Sequence, residues 1–329
     1  MNMNKITNEQ NNIFCSATSL PVIAAPMFLI SNPDMIMACC QNGVIGSFPA
    51  LNQRSSDGFD DWIKEIKSGN KIFAEENPDK ILVPFAVNLI VNKVNPRLKD
   101  ELQICIKHKV PIIITSLGIN QDLIDAVHDY GGIVLHDVAN IIHAKKAIDS
   151  EVDGLIAVCN GAGGHAGMLN PFAFIGELRS FYSGFIALAG CISNGSDILA
   201  AQVMGADFAY MGTRFIATSE AGADNEYKEM IKDSGTNDVI YTDKISGIPA
   251  NFLKQSLVKS GIDINSPTNS DALDELLKNE TKAWKNIWSA GQGVGAIKDA
   301  LSIEELISNL TKEYKDVLYW CNSASNSVN

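Results

Sequence analysis

The sequence predicts an α/β fold of the (β/α)8 class, a TIM barrel with a mostly helical C-terminal region covering the barrel mouth. Three observations carry this expectation. Short, nearly continuous apolar runs alternate with amphipathic stretches, there are eight such runs, and they cease after residue 216. Strands that are apolar on both faces suit a parallel sheet covered by helices, and eight β/α units are the number that closes a barrel. An open doubly wound sheet is the rival arrangement, but it would not need eight strands. With 329 residues, 46% of them hydrophobic and 19% charged, the chain is long enough to bury such a core.

The runs lie at 21–25, 43–47, 83–89, 111–116, 132–136, 154–158, 185–189 and 207–211. Each is rich in Val, Ile, Leu, Phe or Ala and too short for a buried helix. The stretches 60–68, 96–107, 121–129, 140–148, 171–181 and 195–204 repeat apolar residues at helical spacing between them. Beyond Phe215 the pattern changes to helices at 225–234, 250–261, 270–287 and 302–319, with no strong strand among them and a polar, turn-rich link at 263–270. The expected division is a barrel over 1–216 and a mostly helical, substrate-covering region over 217–329 that partly packs back on the barrel. Residues 284–297 are glycine-dense, which fits either a loop closing over a ligand or a plain helix–loop–helix connection.

A net charge of −12 and a pI near 4.9 argue against nucleic acid or an anionic membrane surface as partner, since both demand clustered Lys and Arg. The polar first ten residues do not read as a secretory signal and no run is long enough to span a membrane, so a cytoplasmic location is expected. Cysteines 15, 39, 40, 105, 159, 191 and 321 lack C-x-x-C spacing; no disulfide framework and no metal site is expected. Cys159 and Cys191 differ from the rest in following strands, at the level where ligands bind.

The most informative segment is Asn160-Gly161-Ala162-Gly163-Gly164-His165-Ala166-Gly167, directly after the sixth run. Four glycines around one histidine bring backbone close to a ligand while aiming a single titratable side chain at it. A glycine-rich surface turn with a solvated histidine is the plainer alternative. After the seventh and eighth strands, Ala189-Gly190-Cys191 and Met211-Gly212-Thr213-Arg214 place glycines where amides would face a phosphate. Gly195 opens a helix whose N-terminus favours an anion. Arg214, one of four arginines, is a helper there or a structural salt bridge. Ala25, Pro26 and Met27 end the first strand, Asn88 the third, Ser116 the fourth, and His136 and Asp137 the fifth. An amide such as Asn88 both donates to and accepts from a pyrimidine edge. Ser116, Ser289 and Gln292 are the candidates for a substrate pocket.

Together, Ala24-Ala25-Pro26-Met27, Pro84-Phe85-Ala86-Val87-Asn88, Gly161-Ala162-Gly163-Gly164-His165-Ala166-Gly167, Ala189-Gly190 and Met211-Gly212-Thr213-Arg214-Phe215 resemble the nitronate monooxygenase family. The resemblance covers most of the chain and implies a TIM barrel binding FMN without a covalent link. It makes His165 the catalytic residue and puts Asn88 on the isoalloxazine. It brings Gly163 and Gly164 close to the cofactor, and gives the phosphate to the Gly190 and Gly212-Thr213 loops. Ala25, Pro26, Met27, His136, Ala189, Cys191 and Met211 complete the expected cofactor set. The implied reaction is oxidation of alkyl nitronates, or nitroalkanes, by dioxygen to a carbonyl compound and nitrite. Two departures stand out: Val158 where the family often has glutamine, and Cys191 where it has a second glycine. NAD(P)H-dependent quinone or enoyl-thioester reductases share the histidine motif, so reduction on the same FMN barrel is the alternative; a non-catalytic flavin- or phosphate-binding protein is a further one, disfavoured by His165.

Overall fold

A computed structural model describes residues 18–92, 95–245, 249–262 and 287–325. Eight parallel strands close into a barrel: β1 (Val22–Ala24), β2 (Ile45–Pro49), β3 (Ala86–Ile90), β4 (Ile112–Ser116), β5 (Ile133–Val138), β6 (Gly154–Val158), β8 (Phe185–Ala189) and β9 (Phe208–Met211). Closure comes from β1 pairing with β9, Val22 opposite Ala209 and Ala24 opposite Met211. Side chains alternate across these strands, so one set fills the barrel and the other packs under the helices. The inner set includes Ile23, Ala86, Ile112, Ile114, Leu135, Ile156, Ala187 and Phe208. The outer set includes Val22, Val87, Ile113, Val134, Leu155 and Ile186.

After β1, β4, β5, β6 and β8 an asparagine caps the helix that follows. Asn32, Asn120, Asn140, Asn170 and Asn194 each accept a first-turn amide on the side-chain oxygen. The helices Pro33–Gln41 and Ser56–Glu76 extend the expected set, the first lying outside the stretches read from sequence and the second being much longer than 60–68.

The strand-free C-terminal region is corrected by the structure. β7 (Gly164–His165), β10 (Val239–Thr242) and β11 (Ala250–Leu253) form a three-stranded antiparallel sheet in the order β10-β11-β7. Ala250–Leu253 therefore takes the first third of the expected helix 250–261, and only Lys254–Lys259 is helical. Its reason is non-local: β11 pairs with the glycine-rich loop, Ala250 opposite His165 and Asn251 opposite Gly164. The expected helix 270–287 lies outside the described residues except for Ile287. The last helix, Ile303–Ser325, packs on the outside of the barrel against Gly195–Met204, where Tyr314 Oη donates to Gln202 Oε1 at 2.6 Å. Among the described residues no helix is long and apolar enough to cross a membrane.

Candidate functional site

The C-terminal ends of the barrel strands gather most of the expected residues into one mouth. Ala25, at the end of β1, donates its N–H to Met211 O at 2.9 Å. A Cβ on Gly212 would lie 3.7 Å from both Ala25 Cβ and Met27 Sδ, so the first and last strand ends form one wall. Ala189 faces into the barrel from β8. Met211 turns its side chain outward to the helix layer, leaving only its backbone at the mouth.

The glycine-rich loop is held from outside by the C-terminal part of the chain. Asn251, 1% exposed, donates Nδ2–H to Ala162 O at 2.7 Å, and Tyr241 Oη donates to Ala166 O at 3.1 Å. Gly291 N–H donates to Thr213 Oγ1 at 2.8 Å, and Gln292 N–H to Gly161 O at 2.9 Å. Backbone approach is close enough that a Cβ on Gly163 would stand 2.9 Å from Gly291 N. The segment Ala290–Gln292 thus lies against the loop after β6 and the turn after β9. Ser289 offers its carbonyl to Tyr227 Oη, while its own Oγ is buried without a partner among the described residues.

Gly164 takes a left-handed φ of 68°, with open space where a Cβ would point. That turn carries His165, which is exposed and pairs with Ala250 in the small sheet. Desolvation by the surrounding loops lowers the His165 pKa from its ordinary value, favouring the neutral imidazole.

Inside the mouth lies a hydrogen-bonded chain. Asn88 Nδ2 donates to Ile114 O at 3.2 Å and to Ser116 Oγ at 2.8 Å, and Ser116 Oγ donates to Asp137 Oδ2 at 2.6 Å. Burial pushes the Asp137 carboxyl up to about 6, against the opposing effect of the Ser116 bond. Asp137 Oδ1 and the Tyr210 hydroxyl are buried without partners among the described residues. Ser116 is accordingly a link between Asn88 and Asp137 rather than a free substrate group.

Two expectations fail at this level. His136 is turned away from the site: it alternates with Asp137, and its Nδ1 meets Thr115 Oγ1 at 2.7 Å. Burial, then the charges of His143 and Lys146 on the outer helix, lower its pKa to about 4. The helix opening at Gly195 has most of its first amides already bonded within the protein. Gly195 N–H donates to Glu313 Oε2 at 2.7 Å, and Ser193 and Asn194 N–H donate to Asp197 Oδ2 at 2.8 and 3.2 Å. Arg214 pairs with Asp299 at 2.6 Å. The turn at Gly190-Cys191 remains at the mouth, with Cys191 itself at φ 59° and its Sγ beside Gly161 O.

Tyr210 and Asn251 are polar groups that the sequence reading did not name, and Asp137, named at the end of the fifth strand, was left out of the expected cofactor set. Their common signal is an inward or loop-facing polar atom that the protein alone does not satisfy: Asp137 Oδ1, Tyr210 Oη and Asn251 Oδ1 all lack partners among the described residues. A flavin is a ligand of matching chemistry, with a donor and acceptor edge at one end and an anionic phosphate at the other.

A family model described as nitronate monooxygenase matches residues 11–313. A nitronate monooxygenase of Paraburkholderia phytofirmans is 25% identical, covering 90% of this chain and 92% of the relative. Among solved structures, FabK from Thermotoga maritima superposes with a TM-score of 0.77 at 22% identity, covering 97% of this chain and all of that one. Nitroalkane oxidase from Streptomyces ansochromogenes gives a TM-score of 0.78 at 20% identity, covering 95% and 99%. At these identities the two structures establish the shared barrel fold.

Proposed function

The chain belongs to the nitronate monooxygenase family and is a flavin oxidoreductase; from that premise we propose that it is an FMN-dependent enzyme oxidising alkyl nitronates with dioxygen. Two nitronate ions and one dioxygen give two carbonyl compounds and two nitrite ions, which balances atoms and charge. The observation that supports the reading is the set of buried polar atoms at the strand ends without partners among the described residues, next to the strand that runs into the glycine turn bearing His165.

FMN, when bound, supplies the acceptor for the substrate's electrons and their passage to dioxygen. Asn88, with the inner faces of Ala25, Met27 and Ala189, would hold its ring system. Gly190, Cys191, Gly212 and Thr213 would hold the phosphate; the Thr213 hydroxyl accepts from Gly291 and keeps its own proton to donate. His165 has a lowered pKa and is therefore a proton acceptor at neutral pH, suited to taking the α-proton from a neutral nitroalkane. The glycine loop and Ala290–Gln292 together wall the mouth on one side.

The test is to confirm a flavin spectrum on the purified protein, then mix it anaerobically with propionate 3-nitronate or with NADH. Bleaching of the flavin by the nitronate, with nitrite formed on readmitting air, is expected. Rapid bleaching by NADH with no response to nitronate would replace this reading by the quinone or enoyl-thioester reductase.

A further inference from the structure

We propose that Ser116 and Asp137 form a positioning relay that locks the Asn88 amide with its carbonyl oxygen toward the barrel mouth, so that the site selects a ligand edge carrying an N–H donor. The inference rests on the flavin reading and deepens it, the donor being the imide N–H of the isoalloxazine.

An asparagine side chain has two N–H hydrogens and one carbonyl oxygen. The Ile114 carbonyl can only accept, so its 3.2 Å contact fixes which end of the amide is nitrogen. The second hydrogen goes to Ser116 Oγ at 2.8 Å. Ser116 has one hydrogen of its own, and it is directed to Asp137 Oδ2 at 2.6 Å. Each link accepts from one side and donates to the other, ending on a carboxylate. Both Asn88 hydrogens are spent inside the barrel, and Oδ1 is the group left to meet a ligand.

A second observation points to the same ligand edge. Asp137 Oδ1 and the Tyr210 hydroxyl are buried without partners among the described residues. Leu135 and Asp137 share the inner face of β5, as Phe208 and Tyr210 share that of β9. Burial, then the Asp137 charge, raises the pKa of the Tyr210 phenol. Of these groups, the Asn88 oxygen can accept from the imide N–H, and the Tyr210 hydroxyl can donate to one of the two carbonyls that flank it. Leaving such atoms unmatched is costly, and a ligand that matches them recovers that cost.

The experiment titrates the apo full chain with FMN and with N3-methyl-FMN, following flavin fluorescence. Wild type is expected to prefer FMN by about tenfold or more, the size of one well-made buried hydrogen bond. Ser116→Ala and Asp137→Leu, which removes the acceptor, should reduce that preference to about twofold or less, while Ser116→Thr, which keeps the hydroxyl, should retain it. A merely structural role would weaken both ligands alike and leave their ratio unchanged. Equal affinity of wild type for both ligands overturns the Asn88 orientation and leaves the flavin reading standing. Full preference in either Ser116→Ala or Asp137→Leu overturns the relay. Absence of FMN binding by wild type overturns the flavin reading and the relay with it.

Discussion

Replacing Asn251 by alanine should loosen the glycine-rich loop without touching the barrel. The side chain is 1% exposed, and its Nδ2–H donates to Ala162 O at 2.7 Å. Losing that donor leaves a carbonyl in a site closed to water, which costs about 1–3 kcal/mol. An opposing effect comes from Asn251 Oδ1, which is buried without a partner among the described residues and disappears in the variant. The net cost is therefore about 1–2 kcal/mol, or roughly 5- to 30-fold in the opening equilibrium of the loop. The opening should be local, because β7 is two residues long and pairs only with β11. Amide hydrogen exchange read on peptides spanning 161–167 should rise by that factor, with peptides of β4 and β5 unchanged. Exchange at 161–167 within about twofold of wild type would refute the idea that Asn251 clamps the loop.

His165→Asn should keep FMN content while kcat/KM for neutral nitroalkanes falls by ~10²–10⁴-fold and that for preformed nitronates falls less; equal activity on the neutral substrate would remove His165 as base. Because the His165 pKa is lowered, activity on neutral nitroalkanes should fall only as pH drops below the ordinary imidazole value of about 6.5. Gly212→Asp should purify folded but colourless, since its Cβ has 3.7 Å to Ala25 and Met27 while its carboxylate repels the phosphate; full yellow colour would place the phosphate elsewhere. The Asp137 carboxyl is raised from 3.8 to about 6 in the fold, so the folded apo protein binds the proton more tightly and stability falls as pH rises through that window. Chemical denaturation from pH 4 to 7 should show up to about 3 kcal/mol of this loss in wild type relative to Asp137→Asn, with Tyr210 the ionisable neighbour facing it; parallel profiles would show that Asp137 titrates normally.

The barrel was legible because each strand needs only a local apolar run and each following helix a local cap. The small sheet was not. Val239-Ile240-Tyr241-Thr242 carries three β-branched residues and one aromatic, a fair strand signal, but a four-residue strand is stable only through its partner. That partner, Ala250–Leu253, pairs in turn with a glycine loop more than eighty residues earlier, and no periodicity reports such a pairing. At Gly195 the local signal was present: Asn194 and Asp197 stand in capping-box spacing, and the reciprocal bonds form. That spacing announces amides already satisfied, whereas the bond from Gly195 to Glu313 spans 118 residues and left no trace in the local sequence.

The choice between His136 and Asp137 shows why the site was only half readable. In a strand with one wet face, alternation tells which residues point inward; in Ile133–Val138 both faces are buried, and the pattern carries no phase. Backbone strain supplies what side-chain pattern withholds. Among the described residues, five non-glycines take positive φ: Leu29, Lys109, Leu117, Glu151 and Cys191. Lys109 and Glu151 follow helix ends, where a left-handed residue is an ordinary way to stop. Leu29, Leu117 and Cys191 instead follow β1, β4 and β8 at the mouth, at 63°, 62° and 59°. Each such placement costs about 1–2 kcal/mol that glycine would avoid. At Cys191 the backbone takes a conformation that glycine adopts without cost, so the cysteine side chain there is carried as strain. Strain of this kind persists where the surrounding structure fixes the backbone, and at these three positions it gathers at the strand ends that also carry Asn88 and the unpartnered Asp137 and Tyr210 oxygens.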